Sequence, residues 1–124
     1  MVDVMMLHYG QPALIGFDFG TEGLLRRIAA SFSFEVEGKR LGRGDIIRIS
    51  KRLASELKRN YGRPVVEIPW DGSALVYIWL RPADIIQLGW NGGDAWGVHY
   101  RSRLHDPEMP AILEFLRSQG VTTG

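Results

Sequence analysis

The side chains of this sequence that could do acid–base chemistry are three histidines and a scatter of carboxylates. His99 lies in a strand-like run, and Glu67 or Asp94 could pair with it as an acid–base couple. Nothing in the sequence forces these side chains together, and a single strand histidine is more often structural or a contact residue than catalytic. His8, His99 and His105 also lack the one-face helical spacing of a zinc site, and the chain has no cysteine.

Motifs that carry phosphate or nucleophile chemistry do not occur in the chain. There is no nucleophile elbow, phosphate-binding loop or dinucleotide fingerprint. The two glycine-rich stretches, GKRLGRG at 38–44 and GWNGG at 89–93, lack the spacing of a phosphate cradle. We therefore predict a protein that is not an enzyme and has no catalytic residue, no cofactor and no metal ion.

The string IGFDFGTEG at 15–23 joins a strand-like run to an Asp and a Gly-Thr turn. It resembles the first phosphate-binding segment of actin-like ATPases and the opening of RNase-H-like nucleases such as the Holliday-junction resolvases. The resemblance implies a divalent cation at Asp18 and phosphate beside Gly20 and Thr21. The next residues, GLLRRIAA, depart from the Gly-Val-Ala type of return strand in those families, and two-metal chemistry needs further converging carboxylates. An RNase-H-like, metal-dependent nuclease is therefore the third interpretation.

Length and composition indicate an ordinary globular protein. The chain has 124 residues, which suits a single domain over 1–124, and is 45% hydrophobic and 23% charged. The formal charge of +1 gives little overall attraction to nucleic acid or membrane. No apolar run approaches the roughly 20 residues that span a bilayer, and MVDVMMLHYG has no basic flank. Together with the absence of cysteine, these features predict a cytoplasmic protein with no membrane partner.

Hydrophobic periodicity predicts the elements. From Asp45, apolar residues recur at spacings of three and four until Gly62, which predicts a helix over 45–60 with Asp45 as its cap. A second helix is predicted over 108–119, before Gly120, while residues 24–30 stay ambiguous between helical turn and strand. Strand-like runs are found at 2–9, 13–19, 31–37, 65–68, 74–80, 84–90 and 95–101.

These elements predict an α+β fold in which two helices pack mainly on one face of an antiparallel sheet of about five or six strands. Residues 91–94 predict a four-residue hairpin loop, which places Trp90 opposite Ala95 and the Trp96 ring over Gly89. In that register neither face of the hairpin is polar, although a half-exposed antiparallel sheet should alternate apolar and polar residues. We therefore expect either a covering segment or an exposed binding face.

The leading functional hypothesis is a non-enzymatic protein–protein interaction module. Exposed apolar patches usually mark partners, and Trp, Tyr and Arg dominate interface energies. The partner would be another protein or a second copy of the chain, and the protein itself a small cytosolic partner, inhibitor or immunity-type protein. The predicted contact residues are Tyr77, Trp79, Trp90, Trp96, His99, Tyr100 and Arg101.

The alternative is a nucleic-acid-binding protein that uses the basic segment 39–63. Glu56 is almost the only acid between residues 46 and 63, and basic residues combined with aromatic rings suit single-stranded nucleic acid. An acidic protein surface would fit the same charges. The residues predicted for this alternative are Lys39, Arg40, Arg43, Arg48, Lys51 and Arg52.

Overall fold

The computed structural model describes residues 2–124, which form one seven-stranded antiparallel sheet, a small two-stranded ladder and two helices. The main sheet has the order β1-β2-β3-β9-β8-β7-β6. The elements are β1 (Val2–His8), β2 (Gln11–Phe19), β3 (Leu25–Phe32), β4 (Glu35–Val36), β5 (Lys39–Arg40), α1 (Arg43–Tyr61), β6 (Val66–Ile68), β7 (Leu75–Leu80), β8 (Asp84–Trp90), β9 (Trp96–Ser102) and α2 (Met109–Ser118).

The α+β fold class is confirmed, and the sheet has seven strands rather than five or six. Of the ambiguous residues 24–30, all but Leu24 belong to β3, which lies between β2 and β9. No helix among residues 2–124 combines the length and the apolar composition needed to cross a membrane.

Helix α1 covers one face of the sheet, here called the first face. The helix begins at Arg43, and the Asp45 carboxylate accepts a hydrogen bond from the Gly42 amide at 3.0 Å, so Asp45 lies in the first turn. This hydrogen bond lowers the pKa of Asp45. The apolar stripe of α1 packs on side chains of the strands to form the main core. The buried members of this core include Ile46, Ile49, Leu53, Leu57, Leu75, Tyr77, Trp79, Ile86, Leu88, Trp90, Trp96 and Val98.

Helix α2 packs on the opposite face, here called the second face, which corrects the prediction that both helices share one face. Side chains alternate along a strand, so Ile78 and Ile85 point away from the Trp79 side. They form a separate cluster with Met109 and Leu116 of α2. Because β7 is apolar on both faces and Ile85 of β8 lies beside it on the second face, each face at this end of the sheet receives its own helix.

The predicted hairpin register is wrong by one residue. The loop spans Asn91–Ala95, with the Asn91 amide donating to the Ala95 carbonyl at 3.0 Å, and Trp90 pairs with Trp96. A one-residue shift turns every side chain of a strand to the other face. Trp96 and Val98 therefore join Leu88 on the first face.

Candidate functional site

The aromatic residues predicted as a contact surface lie mostly in the core. Tyr77, Trp79, Trp90 and Trp96 are all at least 94% buried, and Trp79 is only 1% exposed. Each indole N–H has an internal acceptor, as Trp79 shows by donating to the Gly62 carbonyl at 2.8 Å. A buried ring offers no area to a partner, so this part of the predicted site is wrong.

The other three predicted contact residues lie on different faces. Tyr100 points to the first face, where its hydroxyl is hydrogen-bonded to His8 Nε2 at 2.7 Å, while its neighbours in sequence point to the second face. Arg101 is buried and donates to Asp106 at 3.1 Å and to Glu108 at 2.7 Å. Its guanidinium therefore anchors the segment that leads into α2.

The second face has a groove of about 350 Å³ over β8 and β9, in which polar side chains such as Gln87 and His99 lie among apolar ones. Its floor is bare backbone where Gly89 pairs with Gly97, and Gln87 and His99 form the next cross-strand pair on the same face. Burial, reinforced by the positive charge of Arg101, lowers the pKa of His99 to about 4. The imidazole is therefore neutral at pH 7 and is suited to hydrogen bonding rather than to holding charge.

A second concavity, of about 480 Å³, lies on the first face beyond the end of α1. Aromatic rings line it, among them Tyr9, Phe17, Tyr61 and Tyr100. Burial lowers the pKa of His8 and raises that of Tyr100, so the hydrogen bond between these side chains joins two neutral groups near pH 7. The surface here is apolar with neutral polar groups.

The six basic residues of the nucleic-acid alternative are exposed, on β5 and on α1. Part of their charge is paired, because Arg48 contacts Asp45 at 3.3 Å and Arg52 contacts Glu56 at 3.5 Å. The Arg43 guanidinium lies 5.8 Å from the centre of the Trp70 ring. These ion pairs are exposed and contribute little to stability. A ligand can therefore reach the basic side chains and replace their acidic partners.

Asp18, the candidate cation ligand, lies on β2 directly opposite Arg27 of β3. In the part of the chain that the structure describes, no three His, Cys, Asp or Glu side chains come together as a possible metal site. Gly20 and Thr21 follow β2, and the Gly20 amide donates to the Leu24 carbonyl at 2.8 Å within the turn that leads to β3.

The largest group of neighbouring exposed apolar side chains lies on β1, at one edge of the sheet. Val4 is 46% exposed, Met5 65%, Met6 54% and Leu7 64%. Since successive side chains point to opposite faces, the apolar surface wraps around the edge strand from one face to the other. On the second face it continues to Leu14, the neighbour of Met5 on β2.

The backbone of β1 also has free hydrogen-bonding groups. Positive φ angles at Tyr9 and Gly10 fit a two-residue turn, so His8 and Gln11 form its hydrogen-bonded closing pair. Hydrogen-bonded and non-hydrogen-bonded pairs then alternate. Pro12, opposite Leu7, has no N–H, and its carbonyl accepts from Ser33 on the other side.

It follows that alternate residues of β1 point their N–H and C=O groups away from β2. These residues are Asp3, Met5 and Leu7, which lie one register step from the hydrogen-bonded positions Val4 and Met6. Each outward residue presents one donor and one acceptor at the sheet edge. A further strand could pair with all of them without any change in the fold.

The opposite edge of the sheet, β6, is protected. It has three residues, is bracketed by Pro64 and Pro69, and carries Glu67 in an ion pair with Lys58 of α1. Short length, proline and charge are the features by which proteins blunt edge strands. Strand β1 has seven residues, no proline and Asp3 as its one acid. It therefore lacks the features that keep β6 from pairing with a strand of another chain.

The sequence carries a signal for the β1 surface. VDVMML has apolar residues on both faces of a strand, as ALVYIWL does, so the pattern that predicts a contact surface at 74–80 is also present in β1. Comparison with known protein families, with curated proteins and with solved structures finds no match to this chain.

Proposed function

We propose that this protein is a non-enzymatic protein–protein interaction module whose contact surface is the β1 edge, defined as residues 2–8 with Leu14 beside them. The observation that carries the proposal is an unprotected edge strand with exposed apolar side chains on both faces. The protein-binding function predicted from the sequence is retained, and its surface moves from β7–β9 to β1.

Strand addition would supply affinity from two sources. Each backbone hydrogen bond that replaces hydrogen bonds to water contributes roughly 0.5–1.5 kcal/mol. Burial of the exposed parts of Met5 and Leu7 contributes roughly 1–2 kcal/mol each, at about 25 cal/mol per Å². Main-chain pairing gives affinity, and the alternate side chains give specificity.

Site-specific photo-crosslinking tests this proposal. A chain with Met5→p-benzoylphenylalanine is produced in cells and irradiated, and the adducts are identified by mass spectrometry. The matched control carries the same residue at Leu104, which is 82% exposed and lies far along the chain from β1. We expect a discrete adduct from position 5 that is missing from position 104. No adduct from position 5, or the same adducts from both positions, would refute the proposal.

A second candidate function is nucleic-acid binding by α1. It is favoured by the stripe Arg48, Lys51, Arg52 and Arg59, which lies on the exposed side of the helix at spacings of three, four and seven. Binding to single- and double-stranded oligonucleotides over a salt series tests it, because phosphate contacts make affinity fall steeply with salt. Absence of binding at low salt would eliminate this candidate.

A further inference from the structure

We infer that the strand that occupies the β1 edge is β1 of a second copy, paired antiparallel with Met5 opposite Met5. This inference rests on the proposed function and names its partner. The two copies would form one continuous sheet across a two-fold axis, which is the commonest symmetry of soluble homo-oligomers.

Backbone geometry selects this register. An antiparallel pair needs the outward N–H and C=O groups of one strand to face those of the other. With the axis at Met5, the Met5 residues of the two copies pair with each other. Asp3 of each copy pairs with Leu7 of the other. All three outward residues are then hydrogen-bonded within the strand. Centring the axis on Met6 instead pairs Asp3 with Tyr9, which is in a turn.

The side chains agree with the same register. Asp3 faces Leu7 of the second copy rather than another Asp3, so the acids of the two strands are kept apart. Val4 faces Met6 of the second copy on one side of the sheet, and the two Met5 side chains meet on the other. Methionine is unbranched and flexible, which lets such contacts fill the space across a symmetry axis.

Charge and area set the expected strength. A net charge of +1 per chain gives little repulsion between copies. The contact is confined to one strand edge and Leu14, so it lies at the small end of stable interfaces, and we expect dissociation constants of roughly 1–100 μM. Such a dimer would form reversibly with concentration.

Single-cysteine variants test the register, since the chain has no cysteine of its own. In a hydrogen-bonded antiparallel pair the Cα atoms are about 5.5 Å apart, within the roughly 4.4–6.8 Å that a disulfide requires. In a glutathione redox buffer, Met5→Cys should therefore form a disulfide dimer. An equimolar mixture of Asp3→Cys and Leu7→Cys should form the mixed dimer, and Leu104→Cys serves as the exposed control.

Sedimentation equilibrium of the wild-type chain gives an independent readout. We expect the mass to rise from 14.0 kDa toward twice that value as concentration increases, and Met5→Lys, with unchanged circular dichroism, to stay at the lower mass. A wild-type chain that stays monomeric up to about 1 mM, or Met5→Cys that crosslinks no faster than Leu104→Cys, overturns the inference. If position 5 then photo-crosslinks a different protein, the proposed function stands without self-pairing. If it crosslinks nothing, both fail.

Discussion

Replacing Trp79 separates a core role from a contact role most clearly. The ring is 1% exposed, lies beneath α1 and donates a hydrogen bond to the Gly62 carbonyl just past the helix end. Trp79→Ala would remove both the packing of the sheet against α1 and the bond that fixes the helix end. Trp79→Phe would keep much of the packing and lose the hydrogen bond.

Truncation of a buried Trp to Ala typically costs about 3–5 kcal/mol, through lost burial and the cavity left behind. Because Trp79 also satisfies a backbone carbonyl, we expect about 4–5 kcal/mol for Trp79→Ala. Loss of the hydrogen bond and part of the ring volume gives about 2 kcal/mol for Trp79→Phe. With total stabilities of about 5–15 kcal/mol, the alanine variant would be close to unfolding.

Urea denaturation followed by circular dichroism measures both values. The matched control is Phe115→Ala in α2, whose ring is 41% exposed and for which we expect less than about 1 kcal/mol. If Trp79→Ala loses less than about 1 kcal/mol, the ring is not in the core. The original hypothesis of an exposed aromatic surface would then return.

Two further predictions concern the second face. At Gly97 an added Cβ would lie 2.2 Å from the Ala30 carbonyl oxygen, whereas at Gly89 the nearest atom is an ordinary 3.6 Å away. Gly97→Ala should therefore lower the melting temperature clearly more than Gly89→Ala, and equal shifts would contradict the close approach of β3. The pKa of His99 is about 4 in the folded chain, below the ordinary 6.5. As the pH falls, His99 therefore binds a proton in the unfolded chain before it does so in the folded chain, which favours unfolding. Stability should be full above about pH 6.5 and fall by about 1–2 kcal/mol toward pH 4, after allowance for screening at the partly exposed ring. His99→Gln should weaken that dependence in urea titrations, and an unchanged dependence would contradict it.

Local patterns in the sequence predict the elements well because the signals are strong. The helix predicted over 45–60 spans 43–61, and the strand predicted over 84–90 has the same bounds in the structure. The periodic apolar residues, and the residues Gly62 and Asn91 that end these two elements, can be recognised from short stretches of sequence. The α+β class follows from them.

Tertiary relations could not be predicted from the same patterns. The loop is set by Asn91, whose side-chain oxygen accepts hydrogen bonds from the Gly93 and Ala95 amides and adds one residue to the turn. That residue reverses the faces of β9 and makes the second face polar at His99. The predicted two-sided apolar hairpin therefore does not exist.

The sequence predicts an exposed apolar surface, but it places that surface on the wrong strands. An excess of apolar residues over what two helices on one face can cover is visible in the sequence, but the position of each strand in the sheet is not. Because β7 and β8 are covered by α1 and α2, their apolar side chains are buried, and the uncovered ones are on β1 at the edge. Edge position depends on strand order, which no local pattern encodes.

Amide hydrogen exchange along β1 tests the central claim, that this edge is the binding surface, most directly. In dilute wild-type protein, the Met6 amide should exchange slowly because it is bonded to β2, while the Met5 and Leu7 amides exchange fast. At high concentration, or with a partner identified by crosslinking, the Met5 and Leu7 amides should become protected as well. If they exchange at unprotected rates in every bound state, the edge is not where this protein binds.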